Sequence, residues 1–114
     1  MLYNVNISHT LEVQRMAERR RKPRYTDMYE AILALETVDE CIRFFDDLCT
    51  IKELQSMEQR YQVAQLLDKG LIYNDILELT GASSATISRV NRSLVYGADG
   101  YRLILDRLKD SEDN

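Results

Sequence analysis

The 114-residue chain has no uninterrupted apolar stretch of the roughly eighteen residues that a membrane-spanning helix needs. Its opening stretch, MLYNVNISHTLEVQR, lacks a basic start followed by an apolar block, so it does not read as a secretory signal. The cytoplasm is the expected compartment. One proline and four glycines are too few for a turn-rich β architecture and favour long helices. Cys41 and Cys49 form no CxxC pair, and His9 is the single histidine. No metal site is expected from such spacing, and two reduced core thiols are the expectation. A glycine-rich phosphate loop is also missing, and the carboxylates are scattered over solvent-facing helix positions. Catalysis requires a convergent set of nucleophile, base or metal ligands. None is legible, so the chain is read as non-enzymatic.

Charge is plentiful but unevenly placed. The net value of −4 argues at first against a nucleic-acid partner. Residues 1–25, however, hold six Lys/Arg against two acids, a net of +4, and the remainder holds nine against seventeen, a net of −8. The basic residues Arg15, Arg19, Arg20, Arg21, Lys22 and Arg24 thus form an arm on an acidic body. Such an arm either engages phosphates or serves as a solvated leader, and composition leaves both open. The expected organisation is a basic arm over 1–24, a helical domain over 25–110 and an acidic tail over 111–114.

Within the helical domain, Thr26 is an N-cap candidate for a helix carrying Met28, Ile32 and Leu35 at helical spacing, widened by Tyr29 and Leu33. Thr37-Val38-Asp39-Glu40 reads as a capping box. Val38, Cys41, Ile42, Phe45, Leu48 and Cys49 follow it as one apolar stripe, expected to be buried. Thr50-Ile51-Lys52-Glu53 is a second capping box, opening a long helix that stops at Lys69-Gly70. In the second half of that helix Tyr61, Val63, Ala64, Leu66 and Leu67 point nearly all round the axis. A helix apolar on most sides must be surrounded, and a chain this short has few neighbours to offer. A second subunit, hence a homodimer, is expected. A last helix carries Tyr101, Ile104, Leu105 and Leu108, with Asp99 as its candidate cap. The fold class is all-α, with five to six helices.

The stretch Ile72–Leu94, IYNDILELTGASSATISRVNRSL, has the most specific pattern. A short amphipathic helix runs into Gly81, where a tight turn needs a left-handed residue. Ile76 and Leu79 before the turn, and Ala82, Ile87 and Val90 after it, are placed to lock two helices together. Ser83 or Ser84 caps the second helix, whose opposite face is small or polar. These are the requirements of a helix-turn-helix. Small residues at Ser84, Ala85 and Ser88 let the helix sink into a major groove, within reach of Arg89 and Arg92 for phosphates or guanine edges. The bland reading is an ordinary helical hairpin with a soluble outer face.

The stretch Thr50–Leu94 resembles the Trp repressor superfamily. From about Tyr25 the chain looks like its YerC/YecD-type, TrpR-related branch. The resemblance is carried by Thr50-x-x-Glu53, Arg60, Leu66-Leu67-Asp68-Lys69-Gly70, and Gly81-Ala82-x-x-Ala85-Thr86-Ile87-Ser88-Arg89 with Ser93-Leu94 beyond. It implies an intertwined homodimer presenting two recognition helices to successive major grooves of a palindromic operator, with arms that also reach DNA. The positions it places at the groove are Ser83, Ser84, Ala85, Thr86 and Ser88, with Arg92 at a phosphate. The first helix of the motif offers Tyr73, Asn74 and Asp75 where the repressor is more basic. A corepressor pocket, by the same resemblance, would use Thr50, Arg60, Arg89 and Ser93. Val90 departs from the pattern: the repressor has a glycine there, against which the ligand packs. A branched side chain fills space that an indole needs, which argues against L-tryptophan while leaving a different small-molecule corepressor open. One residue is also deleted between Gly70 and Gly81. If Arg60 holds no ligand, Glu53 or Asp47 would be its structural partner.

The expected function is a cytoplasmic, sequence-specific DNA-binding transcriptional regulator, a repressor acting as a homodimer through the helix-turn-helix. The alternative is a helical protein–protein interaction module that keeps the fold without DNA recognition, a reading the acidic body favours.

Overall fold

The computed structural model describes residues 25–113 together with Leu11. The basic arm and His9 lie outside the described residues. Six helices account for nearly all the rest: α1 (Asp27–Leu33), α2 (Val38–Leu48), α3 (Ile51–Asp68), α4 (Tyr73–Thr80), α5 (Ser84–Tyr96) and α6 (Gly100–Asp113). Among the described residues there is no strand, and no helix is long and apolar enough to cross a membrane. The last helix takes in residues 111–113 of the acidic end.

Two compact units divide the chain, Met1–Phe44 and Phe45–Asn114. In the first unit, Thr26 caps α1 by position but makes no side-chain cap bond. At the start of α2, Thr37 Oγ1 accepts from the Glu40 amide at 3.1 Å. The Glu40 carboxylate reaches back to the amide of Glu36, at 3.0 Å, rather than to that of Thr37. The capping box is therefore stretched by one residue. The apolar stripe of α2 is present but not buried: Val38 is 76% and Ile42 55% exposed, and no residue of α1 or α2 is fully buried. Cys41 and Cys49 are free thiols and only half-buried, not core residues.

The second unit is built on α3. Its capping box forms as expected: Thr50 Oγ1 accepts from the Glu53 amide at 3.1 Å, and the Thr50 amide donates to Glu53 Oε1 at 2.8 Å. At its far end, the Leu71 amide donates to the Leu66 carbonyl and the Gly70 amide to that of Leu67, at 3.1 and 3.0 Å. With Gly70 at φ +88°, this is a Schellman stop. The core lies where α3 meets α4 and α5: Val63, Ala64, Ile76, Ala82, Ile87 and Val90 are buried, with Leu66, Leu67, Leu71 and Tyr101 packed around them. Tyr61, Leu66 and Leu67 are half-buried in the single chain.

α6 packs on α5 and is tied to α3 by charge. The Asp68 carboxylate, only 7% exposed, accepts from Arg102 at 2.7 Å and from Lys109 at 2.8 Å. Arg102 also reaches Asp106 at 3.2 Å. The hydrogen bonds from Lys109 and then Arg102 hold the Asp68 carboxyl below its ordinary range, against the opposing effect of burial. α6 itself buries Leu105 and leaves Ile104 and Leu108 partly exposed, at 41% and 47%.

Candidate nucleic-acid interface

α4, its turn and α5 form the helix-turn-helix. Gly81 ends α4 in the left-handed conformation, φ +71°, and its amide donates to the Leu77 carbonyl at 2.9 Å. L-residues with a Cβ avoid that conformation, whereas glycine adopts it freely. Ser83 then caps α5: its hydroxyl accepts from the Thr86 amide and donates to Thr86 Oγ1, both at 3.1 Å. The remaining amides of the first turn of α5 point outward without intrahelical partners, a positively polarised end.

Burial sorts α5 into two faces. Ile87 and Val90 are fully buried against α3 and α4, and Leu94 and Asn91 are half-buried. Ser83, Ser84, Ala85, Ser88, Arg89 and Arg92 are all exposed, and Thr86 is half-buried. Among the described residues, the face expected to meet DNA is thus open. Neither Arg89 nor Arg92 makes an ion pair among the described residues. The sequence contains no Asp or Glu between Glu78 and Asp99, although the body around it is acidic. On α4, Tyr73, Asn74 and Asp75 are exposed.

One locking residue is not where the spacing placed it. Leu79 is 63% exposed. Thr80, one full turn after Ile76, takes the inward position instead. Its hydroxyl donates to the Ile76 carbonyl at 2.7 Å and accepts from the Ala82 amide at 3.0 Å. Gln59 of α3 completes the arrangement: its Nε2 donates to the Thr80 carbonyl at 3.2 Å. Neither residue stood out in the sequence, because an isolated Thr or Gln carries no periodic signal.

An open groove of about 340 Å³ runs along α3, lined by Lys52, Glu53, Ser56, Met57 and Arg60. Of the four positions considered for a corepressor, Arg60 lines it and Thr50, Arg89 and Ser93 do not. Thr50 is committed to capping, and its amide and then its hydroxyl hold the Glu53 carboxyl below its ordinary range. Arg60 donates to Ser56 Oγ at 2.7 Å, not to Glu53 or Asp47. Lys52, Ser56 and Arg60 share one face through i, i+4 spacing, a signal that the sequence did carry. Among the described residues no group of His, Cys, Asp and Glu could hold a metal ion.

With this geometry in place, comparison with known proteins is direct. The Trp repressor protein family profile matches residues 24–109. The chain belongs to the Trp repressor family. An uncharacterized protein of Bacillus subtilis strain 168, YerC, is 54% identical over 85 residues, covering 75% of this chain and 82% of that protein. A crystal structure of a candidate Trp repressor from Staphylococcus aureus is similar at TM-score 0.70 and 53% identity, over 73% of this chain and 83% of that one. A TrpR-like protein from Eubacterium eligens gives TM-score 0.71 and 53% identity, over 73% and 86% of the two chains. Against that family background, Val90 acquires a definite place. Its side chain is 1% exposed and belongs to the core between α3, α4 and α5.

Proposed function

We propose that this Trp repressor family member is a cytoplasmic, sequence-specific DNA-binding transcriptional repressor that acts as a homodimer. The observation that carries the reading is the outer face of α5. It is exposed, free of acids and capped by Ser83, and it presents Arg89 and Arg92 without ion-pair partners among the described residues. A solvated face on an acidic protein has no need to exclude carboxylates, whereas a face that meets phosphates does. Ser83, Ser84, Ala85, Thr86 and Ser88 would sit at the groove, and the two arginines would reach phosphates or base edges.

The dimer is supported by apolar surface that the single chain leaves uncovered. Leu33, Val38, Ile42, Leu48 and Ile51 are all exposed, and α2 has a strongly one-sided apolar stripe with nothing fully buried. Burying such a side chain is worth about 1.5–3 kcal/mol, so a second copy has ample driving force. Two recognition helices related by a twofold axis would then read a palindromic site. The buried position of Val90 argues against L-tryptophan as effector; another small corepressor at Arg60 remains compatible with the groove on α3.

The test is selection from random duplex pools at moderate salt. A palindromic motif should enrich, and affinity should fall steeply with salt, by about 0.9 logarithmic units per decade for each phosphate contact. Replacing Arg89 and Arg92 by Ala should weaken binding and flatten that slope with helicity unchanged. A pool that enriches no motif sinks the regulator reading in favour of a protein–protein module.

A further inference from the structure

We propose that Gln59, on α3, is the positioning residue that sets the aim of the recognition helix α5. The inference rests on the DNA-binding reading of α5 and deepens it.

The helix-turn-helix meets α3 through Val63 and Ala64 on one side and Ile76, Ala82, Ile87 and Val90 on the other. These contacts are apolar, and apolar attraction has no direction. Packing settles the approximate crossing of α4 and α5 on α3, but Val63 and Ala64 are short and interlock little, which leaves the fine angle to a directional contact. A hydrogen bond, by contrast, is directional. The Gln59 amide supplies one, to the carbonyl of Thr80 at 3.2 Å.

Its place in the motif gives that bond leverage. Thr80 is the last residue of α4, so its carbonyl has no donor one turn further along the same helix. The same residue bonds the Ile76 carbonyl and the Ala82 amide through its hydroxyl, at 2.7 and 3.0 Å. Ala82, 2% exposed, directly precedes the cap Ser83. Gln59 therefore grips a residue whose hydroxyl bridges the end of α4 and the approach to α5. A small displacement at Thr80 is carried through Ala82 and Ser83 into the direction of α5. The consequence is for discrimination: a misaimed helix keeps its arginines and its attraction to phosphate but loses registry with base edges.

The full-length protein is titrated against the enriched operator and against a scrambled duplex. Gln59→Glu is nearly isosteric and removes the donor, Gln59→Leu removes both polar atoms, and Gln59→Lys restores a donor. The bond exists with and without DNA, so its loss lowers affinity by shifting α5 away from its aimed orientation, by up to about tenfold. In the Glu and Leu variants operator affinity should therefore fall by up to about tenfold, with scrambled-duplex affinity of the uncharged Leu variant within about twofold of the unaltered protein. The Lys variant should recover most of the loss. Without DNA, the Ala82 and Thr86 amides should exchange about tenfold faster in the Glu and Leu variants. If the unaltered protein prefers its operator and both variants keep that preference within about twofold, the positioning role is overturned. If the unaltered protein shows no preference for any duplex, the DNA-binding reading fails on its own. Exchange at Ala82 and Thr86 then decides whether Gln59 holds the turn: acceleration supports it, and unchanged protection overturns it.

Discussion

Replacing Gly81 by Ala should destabilise the protein by about 0.5–1 kcal/mol, and the value follows from opposing effects. At φ +71° an L-residue pays about 1–2 kcal/mol for the left-handed conformation. Against this, alanine restricts the unfolded chain and returns about 0.4–1 kcal/mol. No packing correction applies, because nothing lies within 4 Å of where a Cβ would stand. Gly97 offers the complementary case. Its φ of −83° is ordinary, but a Cβ there would overlap the carbonyl oxygen of Ser93. That neighbour is backbone and cannot swing away, so Gly97→Ala should cost about 1–3 kcal/mol by overpacking. Asparagine separates the two mechanisms, since it tolerates the left-handed region and is larger than alanine. Gly81→Asn should be closer to the unaltered protein than Gly81→Ala, whereas Gly97→Asn should be no better than Gly97→Ala. Urea midpoints of the four variants, compared at unchanged slope, measure this. The reasoning about the turn is refuted if Gly81→Ala is neutral, or if Asn at 81 is as harmful as Ala.

Further outcomes follow from other parts of the structure. The Asp68 carboxyl is held below its ordinary range by Lys109 and Arg102, so its contribution is present above the normal carboxylate pKa and is lost as pH falls through the depressed folded value. Asp68→Asn should accordingly remove part of the acid-side loss of stability in a pH series of thermal melts, and an unchanged acid limb would contradict the ion-pair geometry. Val90→Gly should cost about 2–4 kcal/mol, because it empties a core position inside a helix. The unaltered protein should show no tight binding of L-tryptophan by calorimetry, and tight binding would disprove the steric argument. Ile42→Asp, at an exposed apolar site of α2, should shift sedimentation from dimer to monomer while leaving the α3–α5 core folded. An unchanged dimer would move the interface elsewhere.

Much of this molecule is local in origin, and those parts were legible from the chain alone. The Thr50–Glu53 capping box, the Lys69-Gly70 stop, the left-handed Gly81 and the Ser83 cap each depend on residues within one or two turns. For that reason neighbouring letters were enough to place α3, α4 and α5. The two faces of α5 also followed from periodicity, with Ile87 and Val90 inward and Ser84, Ala85, Ser88, Arg89 and Arg92 outward. Periodicity names an apolar face but not what covers it. The stripe of α2 is as regular as any in the chain, yet Val38, Ile42 and Leu48 stay exposed and Cys41, Phe45 and Cys49 are only half-buried, and Leu79 yields the inner position to Thr80. Partner choice among distant polar groups was equally illegible: Arg60 takes Ser56 rather than an acid, Asp68 gathers Arg102 and Lys109, and Gln59 finds Thr80 twenty-one residues away. Those pairings depend on how the helices cross, and a crossing is settled by packing between elements that one-dimensional spacing does not contain.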